Sequence, residues 1–289
     1  MLKWLGIGFG ALVVVLAGVL WSGVIEDNLF TVWDPNPLQP NPARQGPFEI
    51  VTDRIEVPDG ADGEPFGIIV YRPDDADGPL PTFVWVMGSN VQAYYHEALH
   101  ETLASWGYVV VAPDTRPLRF IDLRHHGKVV ALAEQATGLA LAGELGVDVD
   151  ADRLALGGYS VGGPLAALTA ADVPEADAIV HWAPAPPPYW QGVDADDRFP
   201  RVVQPSLFLL GGVDEFSPPT GGPAEALQAA MPDAPATTIV IEGANHHQFQ
   251  QPQGGADVWP RAEIGLEDQQ RQAIEATLEW LDETLDVER

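Results

Sequence analysis

The chain has no cysteine. That excludes disulfide staples, a thiol nucleophile and a thiolate metal site, so any covalent chemistry must come from oxygen or nitrogen. Lysine is almost absent, with only Lys3 and Lys128, and 14 basic residues face 42 acidic ones for a net charge of −28. Such a chain repels nucleic acid and anionic headgroups, which excludes nucleic acid as a partner. The acids are scattered rather than gathered in one run, which speaks against a disordered acidic tail. A hydrated acidic surface of this kind suits concentrated salt, where like charges are screened, and salt adaptation is expected on that ground. There is no G-x-x-x-x-G-K-[ST] phosphate loop and no internal repeat. The adjacent pairs His125-His126 and His246-His247 lack the i, i+4 spacing of a zinc motif. No metal or other cofactor is expected.

What is present begins with "WLGIGFGALVVVLAGVLWSGVI", Trp4 to Ile25. This run of about 22 uncharged residues, at about 1.5 Å each, is long enough to cross a bilayer core of about 30 Å. Lys3 precedes it, Glu26 and Asp27 follow it, and Trp4 and Trp21 stand near its ends, which places the N-terminus in the cytoplasm and the bulk outside. A cleaved signal peptide, giving a secreted protein, is the competing reading. It fits less well, because the run exceeds an ordinary signal core and Val15-Leu16-Ala17 is a poor cleavage site. The prolines of "DPNPLQPNPARQGP" then deny helix hydrogen bonds and favour an extended spacer. The expected organisation is a membrane anchor over 1–25, a Pro-rich linker over 26–47 and one catalytic-sized domain over 48–289.

From Phe48 the pattern alternates strand and helix. "FEIVTDRIEV" and "FGIIVYRP" alternate apolar and polar residues about a Gly/Asp turn, as an antiparallel pair does. "TFVWVMG", "YVVVAPD", "RLALGGY", "AIVHWAP", "SLFLLGG" and "TTIVIEG" are continuous apolar runs of the buried parallel type, with helical spacing between most of them. The last helix shows Ile274, Leu278, Leu281 and Leu285 as one stripe facing the sheet. The expected class is α/β, a mostly parallel sheet with helices on both faces. Ligands meet such sheets at the carboxyl ends of the strands, so chemistry is sought just after the apolar runs.

Directly after "RLALGGY" comes Ser160, in "GGYSVGG" and before the helical "GPLAALTAA". Gly158, Ser160 and Gly162 thus form G-x-S-x-G at a strand-to-helix turn, the context in which that motif raises a strained serine above the sheet. Glycines two residues either side remove collisions that side chains would make. Serine needs a base. His246 and His247, in "IVIEGANHHQF", follow the last apolar run at the same sheet edge; His96, His100, His125, His126 and His181 lie in helices or within a strand. Asp214, after "SLFLLGG", is placed to orient the imidazole, with Glu215 as its neighbour and competitor. Asp114 also ends a strand, but it precedes the serine and suits a loop or capping role. For an oxyanion hole the candidates are the backbone N–H of Val161 and that of Ser89, with Asn90 as the fallback.

These motifs resemble those of α/β-hydrolases in the dienelactone hydrolase-like group, which also includes esterases and polyester hydrolases. "GYSVG" is similar to the nucleophile elbow, "GGVDEFSPP" to the acid loop and "GANHHQF" to the histidine loop of a related subgroup, over roughly Phe48 to the C-terminus. In that subgroup the histidine after Asn is catalytic, which selects His246 over His247. Met87 stands where the common His-Gly form would put histidine, which bears on the oxyanion donors and not on the triad. The short interval between "AIVHWAP" and "SLFLLGG" leaves little room for a lid, so the fold is expected without a large one. Trp182, Tyr189 and Trp190 are candidates to line an open pocket beside Asn90, or else to pack the core.

The expectation is a serine hydrolase of small-molecule or polymeric carboxylic esters, with Ser160 attacking, His246 moving the proton and Asp214 orienting it. An acyltransferase or peptidase with the same triad, and a membrane-tethered binding module with a vestigial site, are the alternatives.

Overall fold

In the computed structural model, the described residues are 41–88, 91, 93–114, 124–186, 190, 194–251 and 261–288. All belong to one folded unit, Gln39–Gln251 with Asp257–Arg289. The expected anchor and most of the linker lie outside the described residues. Among those described, no helix is long and apolar enough to cross a membrane.

Eight strands form one sheet: β1 (Ile50–Val57), β2 (Phe66–Pro73), β3 (Leu80–Val86), β4 (Val109–Asp114), β5 (Val149–Tyr159), β6 (Ala176–Trp182), β7 (Ser206–Gly211) and β8 (Ala236–Ile241), in the order β1-β2-β4-β3-β5-β6-β7-β8. β1 pairs antiparallel with β2, from Ile50 opposite Pro73 to Val57 opposite Phe66. β2 also runs antiparallel to β4, and every later pair is parallel. The helices are α1 (Glu97–Ser105), α2 (Arg124–Leu141), α3 (Gly162–Ala170), the single turn α4 (Ala195–Arg198), α5 (Pro223–Ala230) and α6 (Leu266–Thr284).

The apolar runs serve both faces because successive side chains alternate. On one side Val84, Val86, Val109 and Leu156 pack with Leu132 and Ala136 of α2 and Leu165 and Leu168 of α3. On the other, Phe83, Trp85, Val110 and Leu209 pack with Leu99 and Leu103 of α1 and Ile274 and Leu281 of α6. Each such side chain, fully buried, stabilises by roughly 1.5–3 kcal/mol. β8 differs from the other apolar runs. It closes the sheet edge, and its residues are mostly exposed, Ile241 alone being buried.

Residues 41–47, the end of the expected linker, are held against α1. Asn41 Nδ2 donates to Ala98 O at 2.9 Å and to Thr102 Oγ1 at 3.0 Å, and Gly46 N–H donates to Ser105 Oγ at 2.8 Å. A Cβ on Gly46 would lie 2.1 Å from Ser105 O, so only glycine allows this approach.

The topology also places the crevice. After β3 the chain turns back to β4 on one side, while after β5 it continues to β6 on the other. The strand order therefore switches between β3 and β5, and ligands of open α/β sheets bind outside the carboxyl ends at such a switch. Gly88 and Ser160 lie at those two ends.

Candidate active site

Ser160 follows the last residue of β5 and has φ +53°, a left-handed conformation that is uncommon for a residue with a side chain and costs on the order of 1–3 kcal/mol. The neighbouring strand holds it there. Ser160 N–H donates to Trp182 O at 2.8 Å, and Ala185 N–H donates to Ser160 O at 2.9 Å. The flanking backbone is crowded: a Cβ on Gly158 would meet Gly162 at 2.3 Å, and one on Gly162 would meet Val86 O at 2.1 Å. A Cβ on Gly157 would lie 2.6 Å from the Phe83 ring, whereas one on Gly163 would meet nothing closer than 3.4 Å.

His246 Nε2 lies 3.1 Å from Ser160 Oγ, and His246 Nδ1 lies 2.9 Å from Asp214 Oδ2. A carboxylate only accepts, so this geometry puts the ring proton on Nδ1 and leaves Nε2 to accept from the serine hydroxyl. Asp214 is 3 % exposed, and its other oxygen accepts the N–H groups of Phe216 and Ser217, each at 2.8 Å. The loops after β7 and β8 are joined directly, Val213 N–H donating to Ala244 O at 3.0 Å. His247 lies beside this chain of contacts. Its imidazole is brought down to about 4 by burial and then by the neighbouring His246, against the charge of Asp214.

Of the remaining sequence candidates, Val161 caps α3, where the first N–H groups of a helix have no intrahelical acceptor. Ser89, Asn90 and Tyr189 lie outside the described residues. Gly88 is described, and its Cα is so close to the Tyr159 ring that a Cβ would sit 2.8 Å from it. Met87 is buried in the core.

Trp182 and Trp190 do not line a pocket. Trp182 is fully buried, donates its indole N–H to Thr277 Oγ1 at 2.9 Å and lies edge-on to Trp85. Trp190 donates to Ala185 O at 2.7 Å and stands at 89° to Phe199. Both indoles found an internal acceptor, which lets the ring stay in the core. Asp114 pairs with Arg54 at 2.8 Å on the antiparallel side of the sheet.

Sequence reasoning missed four residues around the site. Tyr159 donates its hydroxyl to His246 O at 3.1 Å. Phe216, half exposed, holds its ring 5.4 Å from that of His246. Gln269 and Gln270 of α6 donate to Asn245 O and Gln248 O respectively. No short motif signals these; the contacts join residues far apart in the chain.

One histidine pair does have helical spacing. His96 and His100 stand i, i+4 within "HEALH", an H-E-x-x-H pattern. Their rings are buried among Trp85, Tyr71 and Trp182, and neither nitrogen of either ring has a hydrogen-bond partner. Burial drives both imidazoles toward the neutral form, His100 down to about 3. Among the described residues no group of three or more His, Cys, Asp or Glu is arranged to hold a metal ion.

The strand order, the crevice and the strand-to-helix serine turn define an α/β-hydrolase fold. Residues 33–259 match the family of PET hydrolase-like proteins; the chain belongs to that family and is a carboxylic ester hydrolase. Among solved structures it is similar to a protein from Klebsiella pneumoniae subsp. pneumoniae assigned as a dienelactone hydrolase, with TM-score 0.60 and 23% identity over 81% of this chain and 98% of the other. At that identity the likeness shows the fold. No curated protein matches the chain significantly.

Proposed function

We propose that Ser160, His246 and Asp214 hydrolyse carboxylic esters through a covalent acyl-enzyme. The observation that carries this is the contact chain Ser160 Oγ, His246 Nε2, His246 Nδ1, Asp214 Oδ2, with separations of 3.1 and 2.9 Å. As Ser160 Oγ bonds to the ester carbonyl carbon, its proton passes to His246 Nε2. The carbonyl oxygen becomes an oxyanion, received by the N–H of Val161 and that of Ser89, or of Asn90. When the C–O bond to the alcohol breaks, Nε2–H protonates the leaving oxygen. Water then gives a proton to Nε2, attacks the acyl carbon and releases the acid with Ser160 restored. Asp214 keeps the proton on Nδ1 and steadies the imidazolium.

The substrate is a small-molecule or polymeric ester. The family's kinship with polyester hydrolysis and the half-exposed Phe216 ring beside His246 support substrates with bulky, apolar groups. The site is proposed to be open, without a large lid. Residues 1–25 are proposed as a single-pass anchor and 26–47 as a linker, with the domain over 48–289 outside the cytoplasm.

Ser160→Ala should abolish hydrolysis of a short p-nitrophenyl ester and labelling by a fluorophosphonate while the circular dichroism spectrum stays unchanged. Full activity in that variant would overturn the assignment. Full-length protein should sediment with membranes and resist extraction by carbonate, and a protein lacking residues 1–25 should not.

A further inference from the structure

The inward face of α6 carries Gln269, Gln270, Ala273, Ile274, Thr277 and Leu281. Its later turns pack apolar groups against the sheet, but the first turn presents two carboxamides where that stripe would continue with apolar residues. Gln269 is fully buried. A buried amide is costly unless its polar atoms are paired, so the pairs it makes explain its presence.

Both ends of the Gln269 carboxamide are spent on one residue. Its Oε1 accepts Asn245 N–H at 3.1 Å, and its Nε2 donates to Asn245 O at 2.7 Å. Asn245 immediately precedes His246 and lies beyond the end of β8, where among the described residues no further strand offers a ladder. The side chain of Gln269 thus does for this residue what a neighbouring strand does within the sheet. Adjacent contacts fasten the same segment: Glu263 N–H donates to Gly243 O at 2.7 Å, and Asn245 Oδ1 accepts Gln248 N–H at 2.9 Å.

We propose that Gln269 is a positioning residue for His246, whose two-sided pairing with Asn245 sets the imidazole between Asp214 and Ser160. The proposal rests on the triad reading above. Gln269 touches neither substrate nor a reacting atom; it acts through the backbone that carries the base. A displacement of the order of 1 Å at a reacting group can cost about 10²-fold.

The test compares the full chain with Gln269→Leu, Gln269→Glu and Tyr108→Phe. Tyr108 donates its hydroxyl to Asp282 Oδ1 at 2.9 Å near the other end of α6, so its variant loosens the same helix away from the site. For Gln269→Leu, kcat and the rate of fluorophosphonate labelling should fall by roughly 10- to 100-fold, with KM little changed, at temperatures well below its Tm. Tyr108→Phe should lower Tm and leave kcat unchanged. In Gln269→Glu the side chain donates to Asn245 O only when protonated, so its kcat relative to the unaltered protein should recover as pH falls from 8.5 to 6.

If Gln269→Leu keeps the kcat of the unaltered protein, the proposal is overturned. If that variant does not fold, Gln269→Glu decides: a relative kcat that is flat with pH overturns the proposal. Should Ser160→Ala remain active, the triad reading fails and this inference with it; an inactive Ser160→Ala beside a fully active Gln269→Leu overturns this inference alone.

Discussion

Tyr159 and His246 are joined by a hydrogen bond of 3.1 Å from the phenol to the histidine's own carbonyl oxygen. The residue before the nucleophile thereby holds the backbone of the base, and the ring stands 5.1 Å from the imidazole. Burial, and then the charge of Asp214, push the phenol well above its ordinary range, so it stays a donor.

Tyr159→Phe removes the shorter of two bonds to that carbonyl, which keeps only the N–H of Phe249 at 3.4 Å. A single internal hydrogen bond contributes about 0.5–1.5 kcal/mol net, so the urea midpoint should drop accordingly. The loss in kcat/KM should be smaller than that of Ser160→Ala, since the imidazole keeps its other contacts. Unchanged stability would show that the bond is not formed in solution.

The glycines of the elbow should separate by position. Gly158→Ala and Gly162→Ala place a methyl 2.3 and 2.1 Å from backbone atoms that cannot move aside, and both should lose probe labelling and destabilise the fold by more than about 2 kcal/mol. Gly163→Ala meets its neighbours at 3.4 Å and should remain folded and active. Equal behaviour of the three variants in melting and labelling assays would contradict the crowding described.

Asp214→Asn should preserve the fold, because Oδ1 can still accept from Phe216 and Ser217. An amide donor facing Nδ1 would instead place the ring proton on Nε2, where it blocks uptake of the serine proton. The expected fall in kcat is on the order of 10³- to 10⁴-fold, read in steady-state ester hydrolysis. A tenfold loss or less would mean that another carboxylate orients the base.

Stability should decline in acid because buried imidazoles resist protonation. Burial takes His100 and His181 down to about 3 and His247 to about 4, and lowers His96 as well. The unfolded chain binds these protons near pH 6.5. Their contribution is therefore intact above that pH and is lost as pH falls toward 3, by about 1.4 kcal/mol per pH unit for each fully buried ring. Glu97 and Glu101, raised by burial, oppose this in part. His100→Phe should gain stability relative to the unaltered protein between pH 6.5 and 4.5 in urea titrations; parallel pH curves for the two would refute the assignment.

With a net charge of −28, the folded chain repels itself, and salt of about 1 M shortens the screening length to about 3 Å. Tm should therefore rise from dilute buffer to molar sodium chloride. A melt that is flat or falls with salt would count against salt adaptation.

Much of the architecture is legible in the chain. Alternation in β1 marks a sheet edge, and the continuous apolar runs of β3 to β7 mark strands buried between helices, because side-chain period and burial are local properties of an extended backbone; β2 is buried on both faces and β8 is mostly exposed, since their places in the strand order decide that. The serine turn is legible for a similar reason, since the glycines needed for close backbone approach lie within two residues of Ser160. Trp182 and Trp190 show where this stops. Following a strand, an indole can face solvent, substrate or core, and only the acceptors Thr277 Oγ1 and Ala185 O, the former remote in sequence, turn these two inward. His96 and His100 have metal-motif spacing, yet their surroundings are aromatic, which spacing alone does not reveal.

The sequence by itself determined the strands, their mostly parallel α/β arrangement, the elbow at Ser160 and the acidic surface, since each follows from short-range periodicity, steric size or charge. Only the tertiary structure decided that Asp214, His246 and Ser160 meet within hydrogen-bond distance, and that Tyr159 and Gln269 grip the histidine loop. Those contacts depend on which strand ends adjoin and on how α6 docks, and chain segments far apart in sequence come within a few ångströms only once helices have packed on the two faces of the sheet.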